Sequence, residues 1–252
     1  MTEPLLQTRD LSKNFGGLSA VNNVTINFMP EKVHAIIGPN GAGKTTLINL
    51  LSGELKPSGG KIVFRGRDVS TAPSFEISQL GIGRSYQKTN IFPDFSCLQN
   101  CLLAGQSRMA SSMRFLRPAN SYDEIQARAD RALKLCGLSG RADWIASSMS
   151  YGEQRQLEIG MMLATEPTLL LLDEPLAGMG KDESGQVVDL IKRLAVDHTV
   201  ILIEHDMDAV FAVADVLTVM VNGAVLASGT PEEIRASQTV QDAYLGSNEV
   251  EQ

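Results

Sequence analysis

Hydrophobic positions along the chain follow patterns that predict a β-rich start and then an alternation of strands and helices. From Leu5 to Phe28 apolar and polar residues alternate, as is typical of β-strands. Three later runs, at 33–37, 169–172 and 199–204, are short and mostly apolar. Since apolar strands that alternate with helices belong to parallel sheets covered on both faces, the pattern predicts an α/β fold.

Helices fill the intervals between these strands, and some of them form an inserted lobe. Between 87 and 150 apolar residues recur at helical spacings on either side of a basic, loop-like stretch at 107–120. This interruption indicates one domain with an inserted helical piece. Two short β-prone segments, 216–221 and 224–227, then precede a helix that begins at Pro231. The other helices are predicted over 44–51, 97–104, 122–135, 152–165 and 183–195.

Composition and charge narrow the classes of function. The chain has 252 residues, of which 43% are hydrophobic, and its 22 Lys and Arg against 29 Asp and Glu give a formal net charge of −7. An acidic protein repels the phosphates of nucleic acids on average, so we expect no nucleic-acid partner. The three cysteines, Cys97, Cys101 and Cys136, lack the spacing of a metal site. We expect them to be small buried residues of helices, in a protein of a reducing compartment.

Neither a targeting segment nor a membrane span is predicted. The first ten residues carry Glu3, Arg9 and Asp10 in place of an apolar signal core. No stretch reaches the roughly 18 apolar residues that a membrane-spanning helix needs. We therefore expect a cytoplasmic protein that reaches a membrane only through a partner.

A glycine-rich loop between the strand at 33–37 and the helix at 44–51 has the spacing of a phosphate-binding loop. In such loops consecutive backbone N–H groups curve around phosphate oxygens, and the N-terminus of the following helix adds positive potential. Lys44 can reach the terminal phosphates, and the Thr45 hydroxyl can bind Mg²⁺. An ordinary glycine turn is the alternative, but a strand and a helix flank this loop as the motif requires. The candidate nucleotide-binding residues are Gly38, Pro39, Asn40, Gly41, Ala42, Gly43, Lys44, Thr45 and Thr46.

Two carboxylates follow the apolar run at 169–172 directly. A buried strand that ends in Asp173 and Glu174 needs a reason to place charge there, and a cation supplies one. We expect Asp173 to bind Mg²⁺ and Glu174 to polarise the water that attacks the γ-phosphate. A solvated acidic turn is the alternative.

Two further polar residues lie near the same predicted edge of the sheet. His205 follows the strand at 199–204, where it can contact the γ-phosphate, although a histidine after a strand is more often structural. Gln87 follows the β-prone segment 83–86 and opens the helical lobe. From there Gln87 can sense Mg²⁺ and the attacking water.

In this order the motifs resemble the ATP-binding subunit of ATP-binding-cassette (ABC) transporters over nearly the whole chain. The segment 149–154, Met-Ser-Tyr-Gly-Glu-Gln, is similar to the family signature Leu-Ser-Gly-Gly-Gln. Ser150, Gly152 and Glu153 lie at the start of a predicted helix, which makes a second anion site. The resemblance implies that this site faces a γ-phosphate bound by another subunit. Phe15 matches the family's aromatic residue that stacks on adenine, and Gln87 and His205 match its glutamine and histidine switch residues.

The resemblance also implies an architecture and a set of partners. The expected fold is a RecA-like P-loop NTPase with a parallel sheet, an N-terminal antiparallel β subdomain and an inserted helical subdomain. The single domain would span 1–252, with the nucleotide-binding core at 1–87 and 153–252 and the helical subdomain with the signature at 88–152. Expected ligands are ATP and Mg²⁺. Expected partners are a second ATPase subunit, identical or related, integral membrane permease subunits at the inner face of the cell membrane, and indirectly an external solute-binding protein.

Departures from the family pattern indicate a subgroup. Tyr151 replaces the first signature glycine, Glu153 replaces the glutamine, and the loop 176–180 lacks the usual aspartate. These features, with the stretches 105–120 and 204–207, resemble importers of branched-chain amino acids, amides and urea. We therefore predict an ATP-hydrolysing subunit that powers such an importer. A soluble ATP-dependent switch or scaffold of the same fold is the alternative, and the signature argues against a generic phosphate-loop kinase.

Overall fold

This computed structural model describes residues 3–108 and 123–242, which contain ten strands and eight α-helices. The strands are β1 (Leu6–Phe15), β2 (Leu18–Phe28), β3 (Val33–Ile37), β4 (Gly59–Phe64), β5 (Arg67–Asp68), β6 (Ile82–Arg84), β7 (Leu169–Asp173), β8 (Thr199–Ile203), β9 (Val216–Val221) and β10 (Ala224–Gly229). The helices are α1 (Lys44–Leu51), α2 (Ser74–Leu80), α3 (Cys97–Gln106), α4 (Asp123–Leu135), α5 (Tyr151–Leu163), α6 (Lys181–Leu194), α7 (Met207–Val213) and α8 (Pro231–Ala236).

These strands form two sheets, and the predicted α/β class is confirmed. The larger sheet has the order β10-β9-β3-β8-β7-β6, in which only the β9–β10 pair is antiparallel. The smaller sheet, β2-β1-β4-β5, is antiparallel and is the expected N-terminal β subdomain. The alternating segment from Leu5 to Phe28 is therefore a hairpin of two long strands that turn at Gly16, where φ is +58°.

Both faces of the larger sheet are buried, which explains its leucine-rich strands. Leu170 and Leu172 of β7 pack with the helices α3 to α6 on one face. Leu169 and Leu171 pack with α1 and the antiparallel sheet on the other face. No polar side of β7 reaches water, and the strand consequently shows none of the alternation of a half-exposed strand.

Helices α3, α4 and α5 pack together as the expected helical lobe, and all three cysteines are buried in it. Cys97 and Cys101 belong to α3, whereas Cys136 lies in the turn after α4. Burial raises the pKa of Cys101 to about 12, so the thiol stays protonated.

The predicted loop at 107–120 falls mostly outside the described residues. The predicted subdomain boundary at 152/153 stays a prediction, since α5 packs both with the lobe and with α6.

Segment 53–82 and helix α7 carry structure that the pattern did not predict. Strands β4 and β5 and helix α2 all lie in 53–82, and each is at most seven residues long. Such elements are too short for a periodicity to emerge, and β4 begins with two exposed glycines.

Of the helices in the described ranges, none has both the length and the apolar character needed to cross a bilayer.

Parallel pairing brings the carboxyl ends of the central strands to one edge of the sheet. In the register of the sheet, Ile203 at the end of β8 lies opposite both Ile36 of β3 and Asp173 of β7. The segments that follow these strands are the phosphate loop, Glu174 and His205. The fold therefore gathers at one edge residues that are up to 167 positions apart, from Gly38 to His205.

Strand β3 also buries His34, whose ring packs edge-to-face on Phe28 at a centroid distance of 5.3 Å. The amide of Met29 donates a hydrogen bond to Nε2 at 2.8 Å. Burial lowers the pKa of His34 below the usual 6.5, so the folded protein keeps the imidazole neutral where the unfolded chain takes up a proton. The stability that this group contributes is present above the unfolded pKa and is lost as the pH falls through the folded pKa.

We expect the free energy of unfolding, measured by urea titration, to fall between about pH 7.5 and about pH 5.5. His34 can account for up to about 1.4 kcal/mol of this loss per pH unit. In His34→Gln the amide oxygen can still accept from Met29 but does not titrate, so the loss should be smaller. Equal pH slopes in the two proteins would contradict this prediction.

Candidate functional site

A cleft of about 630 Å³ opens at the carboxyl edge of the larger sheet. Its walls include the phosphate loop, the turn between β1 and β2, and the turn between β9 and β10. Of the residues predicted from sequence, the cleft is lined by Phe15, Asn40, Gly41, Ala42, Gly43, Lys44, Thr45, Thr46, Gln87 and Glu174. One cleft therefore collects residues from three predicted motifs and the predicted adenine-stacking aromatic.

The phosphate loop has a backbone that only glycine can supply at its last position. Gly43 has φ +94°, and a Cβ there would lie 2.2 Å from the carbonyl oxygen of Ala20. Gly43 is also the residue before α1, and in the described ranges no side chain caps this helix start. The first amides of α1 are therefore available to an anion in the cleft.

Lys44 spans its own loop. Its Nζ donates hydrogen bonds to the carbonyl oxygens of Gly38 at 2.7 Å and Pro39 at 3.0 Å. Burial lowers the pKa of Lys44, while the nearby Glu174 and Asp173 raise it. The ammonium thus lies between the start of the loop and two carboxylates, where it can meet a polyphosphate.

Asp173 is 1% exposed at the end of β7. Neither carboxylate oxygen has a hydrogen-bond partner among the residues that the structure describes, although Nη2 of Arg84 lies 3.5 Å from Oδ2. Burial raises the pKa of this carboxyl. A buried carboxylate with so little compensation is costly, and a cation that binds it removes that cost. The donor set of Asp173 and the Thr45 hydroxyl is the hard-oxygen chemistry that Mg²⁺ prefers, so these residues fit the ion.

Glu174 turns away from the sheet immediately after Asp173. Its φ is +47°, which is rare for a residue with a side chain, and its N–H donates to the carbonyl of Ile203 at 2.9 Å. This local twist lets two adjacent carboxylates point to different places, with Asp173 buried and Glu174 on the cleft wall. Backbone strain of this kind persists where the surrounding structure holds it.

His205 does not line the cleft. Its side chain is 68% exposed, and Nδ1 lies 3.7 Å from Oε2 of the buried Glu204. Glu204 accepts hydrogen bonds from the amides of Leu176 at 2.8 Å and His205 at 2.9 Å, and it thereby joins the loops that follow β7 and β8. The contact of His205 with a γ-phosphate stays a prediction.

The signature segment lies on another surface, outside the residues that line the cleft. Ser150 is the N-cap of α5 and forms a capping box, since its Oγ accepts from the amide of Glu153 and its own amide donates to the Glu153 carboxylate. The amide of Gly152 donates to Oε1 of Glu183 at 3.3 Å. A Cβ on Gly152 would lie only 3.0 Å from the Glu183 side chain. The predicted second anion site therefore already holds a carboxylate of its own chain.

Phe15 and several unpredicted residues form the outer rim of the cleft. Phe15 is 47% exposed, and Nζ of Lys13 lies 5.2 Å from its ring centroid. An exposed ring at a cleft mouth suits stacking on a flat base. Sequence reasoning missed four other rim residues. Only Asn222 had a signal in the sequence, which was the turn chemistry of positions 222–223. The four residues are Leu18, Ser19, Ala20 and Asn222.

Comparisons with known proteins agree with this geometry. A sequence model described as "ABC transporter" matches residues 21–177, and one described as "Branched-chain amino acid ATP-binding cassette transporter" matches residues 224–250. The chain is 40% identical to the high-affinity branched-chain amino acid transport ATP-binding protein LivG of Escherichia coli K12, with 98% of this chain and 99% of the relative covered. It is 38% identical to BraF of Pseudomonas aeruginosa, with the same coverage.

Solved structures show the same fold. A crystal structure of the ADP conformation of an ATP-binding cassette of an ABC transporter superposes with a TM-score of 0.87 at 30% identity, covering 97% of this chain and all of the other. A nucleotide-free cassette gives a TM-score of 0.83 at 31% identity, covering 95% and 98%. The matched family model covers more than half of the chain, and the curated relatives cover nearly all of it. The chain therefore belongs to the ABC transporter family, as an ATP-binding subunit whose hydrolysis of ATP drives transport.

Proposed function

We propose that the cleft binds ATP with Mg²⁺ and that the chain powers the import of branched-chain amino acids or a related small solute. The observation that carries the proposal is the pair of carboxylates after β7, with Asp173 buried and unsatisfied by the described residues and Glu174 on the cleft wall. The relatives are named for branched-chain amino acid transport, and this favours transport over a soluble switch.

Asp173, Thr45 and Gln87 would hold Mg²⁺. When bound, the ion offsets negative charge on the phosphates. Lys44 exchanges its loop carbonyls for the terminal phosphates, and the free amides at the start of α1 surround them. The Phe15 ring lies against the adenine.

Glu174 accepts the proton of the attacking water, since its side chain lines the cleft that holds the phosphates. Attack on the γ-phosphorus is in line with the leaving oxygen, and positive groups offset the charge that develops there. His205 approaches the γ-phosphate as the loop after β8 closes. The amides of the signature segment in a second subunit cover the same phosphate from outside.

A second ATPase subunit is required because the signature lies outside the cleft of its own chain. Two chains, identical or related, would each supply the missing anion site to the other. Membrane permease subunits dock on the pair and hold it at the inner face of the cell membrane, and an external solute-binding protein delivers the solute to them. Solute specificity then resides in these partners.

Glu174→Gln should retain ATP binding and lose hydrolysis by about 100-fold or more, because the amide cannot take a proton from water. Lys44→Ala should lose hydrolysis and, in addition, about tenfold or more of its affinity for ATP, because a charged contact to phosphate is removed. Calorimetry for binding and phosphate release for turnover separate the two effects. A parental hydrolysis rate in Glu174→Gln would remove this residue from the role of base.

Transport is tested with the complex assembled from the chain and its native permease and solute-binding partners in proteoliposomes. We expect leucine uptake that requires ATP on the membrane side where this chain is bound. The same complex assembled with Glu174→Gln should show no uptake. Uptake of urea or a short amide, with no uptake of leucine, would move the assignment to another solute. ATP-dependent turnover without association with any permease would favour the soluble switch.

Glu183 should oppose closure of two subunits, because its carboxylate holds the Gly152 amide that the second subunit's nucleotide needs. In a Glu174→Gln background, Glu183→Ala should lower the ATP concentration for half-maximal dimerisation by about tenfold. Light scattering across an ATP titration measures this. Asp182→Ala removes a neighbouring exposed charge from the same helix turn and is the matched control. An equal shift in both variants would show that only net charge matters.

A further inference from the structure

Helix α5 buries an ion pair that the proposed mechanism does not use. Arg155 is 1% exposed and Glu158 is 5% exposed. Nη1 of Arg155 donates to Oε2 of Glu158 at 2.6 Å. Neither residue lines the nucleotide cleft.

The Arg155 guanidinium is bonded to the main chain of the two carboxylates after β7. Nη2 donates to the carbonyl oxygens of Asp173 at 3.0 Å and Glu174 at 3.4 Å. Nη1 also donates to the carbonyl oxygen of Tyr86, the residue before Gln87. One side chain thus holds the backbone of the proposed base, of the proposed Mg²⁺ ligand and of the residue that precedes the proposed sensor.

Glu158 fixes the other side of the same segment. Its Oε1 accepts from the amides of Tyr86 and Asn90, each at 3.3 Å. Gln87 lies between these two anchored residues, on the cleft wall. The ion pair is therefore hydrogen-bonded to the segment on both sides of Gln87, and the same network includes the backbone of Glu174.

Stability alone is a weak reason for such a pair. Replacing a buried ion pair by apolar residues of similar size is often neutral or stabilising, since two charges lose their water. A guanidinium, however, offers five donors in a fixed plane, so it can hold several carbonyls at set positions at once. Ser150 also caps the start of helix α5, so the same helix is continuous with the signature and carries Arg155.

We infer that Arg155, oriented by Glu158, is a positioning residue that sets the backbone of Glu174 and Gln87 and so makes hydrolysis depend on the position of helix α5. The inference rests on the proposed roles of Glu174 and Gln87. A displacement of α5 when a second subunit meets the signature moves the donors of Arg155, and with them the carbonyls that they hold. Misplacement of a catalytic group by about 1 Å can lower a rate about 100-fold, so this coupling is strong enough to gate hydrolysis.

The first test uses a double variant, Arg155→Met with Glu158→Gln. It removes both charges together and leaves an amide oxygen for the amides of Tyr86 and Asn90, while the carbonyls of Asp173 and Glu174 lose their donors. We expect kcat for ATP to fall about 10- to 100-fold, with the calorimetric Kd for ATP, measured without Mg²⁺, within about twofold of the parent. The urea midpoint should fall, because buried carbonyls lose their donors, so kcat is measured in the absence of urea on the folded variant.

Rescue by the conservative change is the second readout. In Arg155→Lys the ammonium can reach one of the carbonyls but cannot span all of them, so kcat should lie between the parental and double-variant values. If the double variant does not fold, Arg155→Lys carries the test by itself. A parental kcat in Arg155→Lys would then overturn the inference.

Arg128→Met is the matched control. Arg128 is a mostly buried arginine of α4 in the same lobe, and its ion pairs are with Glu124 at 2.7 Å and Glu166 at 3.0 Å. Its loss should lower the urea midpoint and leave kcat at the parental value. A fall in kcat equal to that of the double variant would show that any damage to the lobe slows turnover, which overturns the positioning role.

Two further outcomes separate this inference from the proposed function. A parental kcat in the folded double variant, with Glu174→Gln inactive, overturns the role of Arg155 alone. A parental kcat in Glu174→Gln overturns the proposed roles at the cleft. An equal loss of kcat and of ATP affinity measured without Mg²⁺ also overturns the inference, because the backbone that Arg155 holds carries the base and the Mg²⁺ ligands and not the loop that contacts the phosphates.

Discussion

The site depends on one electrostatic constraint, which is the burial of the Asp173 carboxylate at the end of an all-leucine strand. The described residues offer it no hydrogen bond, and its ion pair with Arg84 is long, at 3.5 Å. A buried carboxylate that accepts no hydrogen bond is costly, and a bound metal ion would lower that cost. The fold tolerates this cost because both faces of the strand are packed, and in the proposed function the carboxylate is available to the metal ion that accompanies the nucleotide.

Two buried side chains hold the loops around this carboxylate. Glu204 accepts the amides of the loops after β7 and β8, and Arg155 donates to carbonyls at Asp173 and Glu174. A buried polar network whose hydrogen bonds are satisfied makes the segments that it joins rigid. The cleft is therefore connected to helix α5 and, through it, to the signature segment.

Residues that the sequence placed in a single mechanism lie on two surfaces of this chain. Lys44 and Glu174 share the cleft, whereas Ser150 lies at the start of α5 and Gly152 donates to the chain's own Glu183. In the proposed function this separation has a physical meaning, because a site divided between two chains can act only when they meet. In the single chain the Gly152 amide donates to Glu183 instead.

The sequence by itself determined the phosphate loop, the acidic end of β7, the α/β class and the family. These features depend on glycine spacing, apolar runs and adjacent carboxylates, which can all be recognised in short stretches of consecutive residues. The short elements of 53–82 were not predictable, since they contain too few residues for a period. The rim residue Asn222, the contact of Glu183 with Gly152, and the hydrogen bonds of Arg155 to Tyr86 and Glu174 were not predictable either. They join positions that are far apart in the chain. Only the tertiary structure decided these, because packing, and not sequence distance, determines which donor reaches which acceptor.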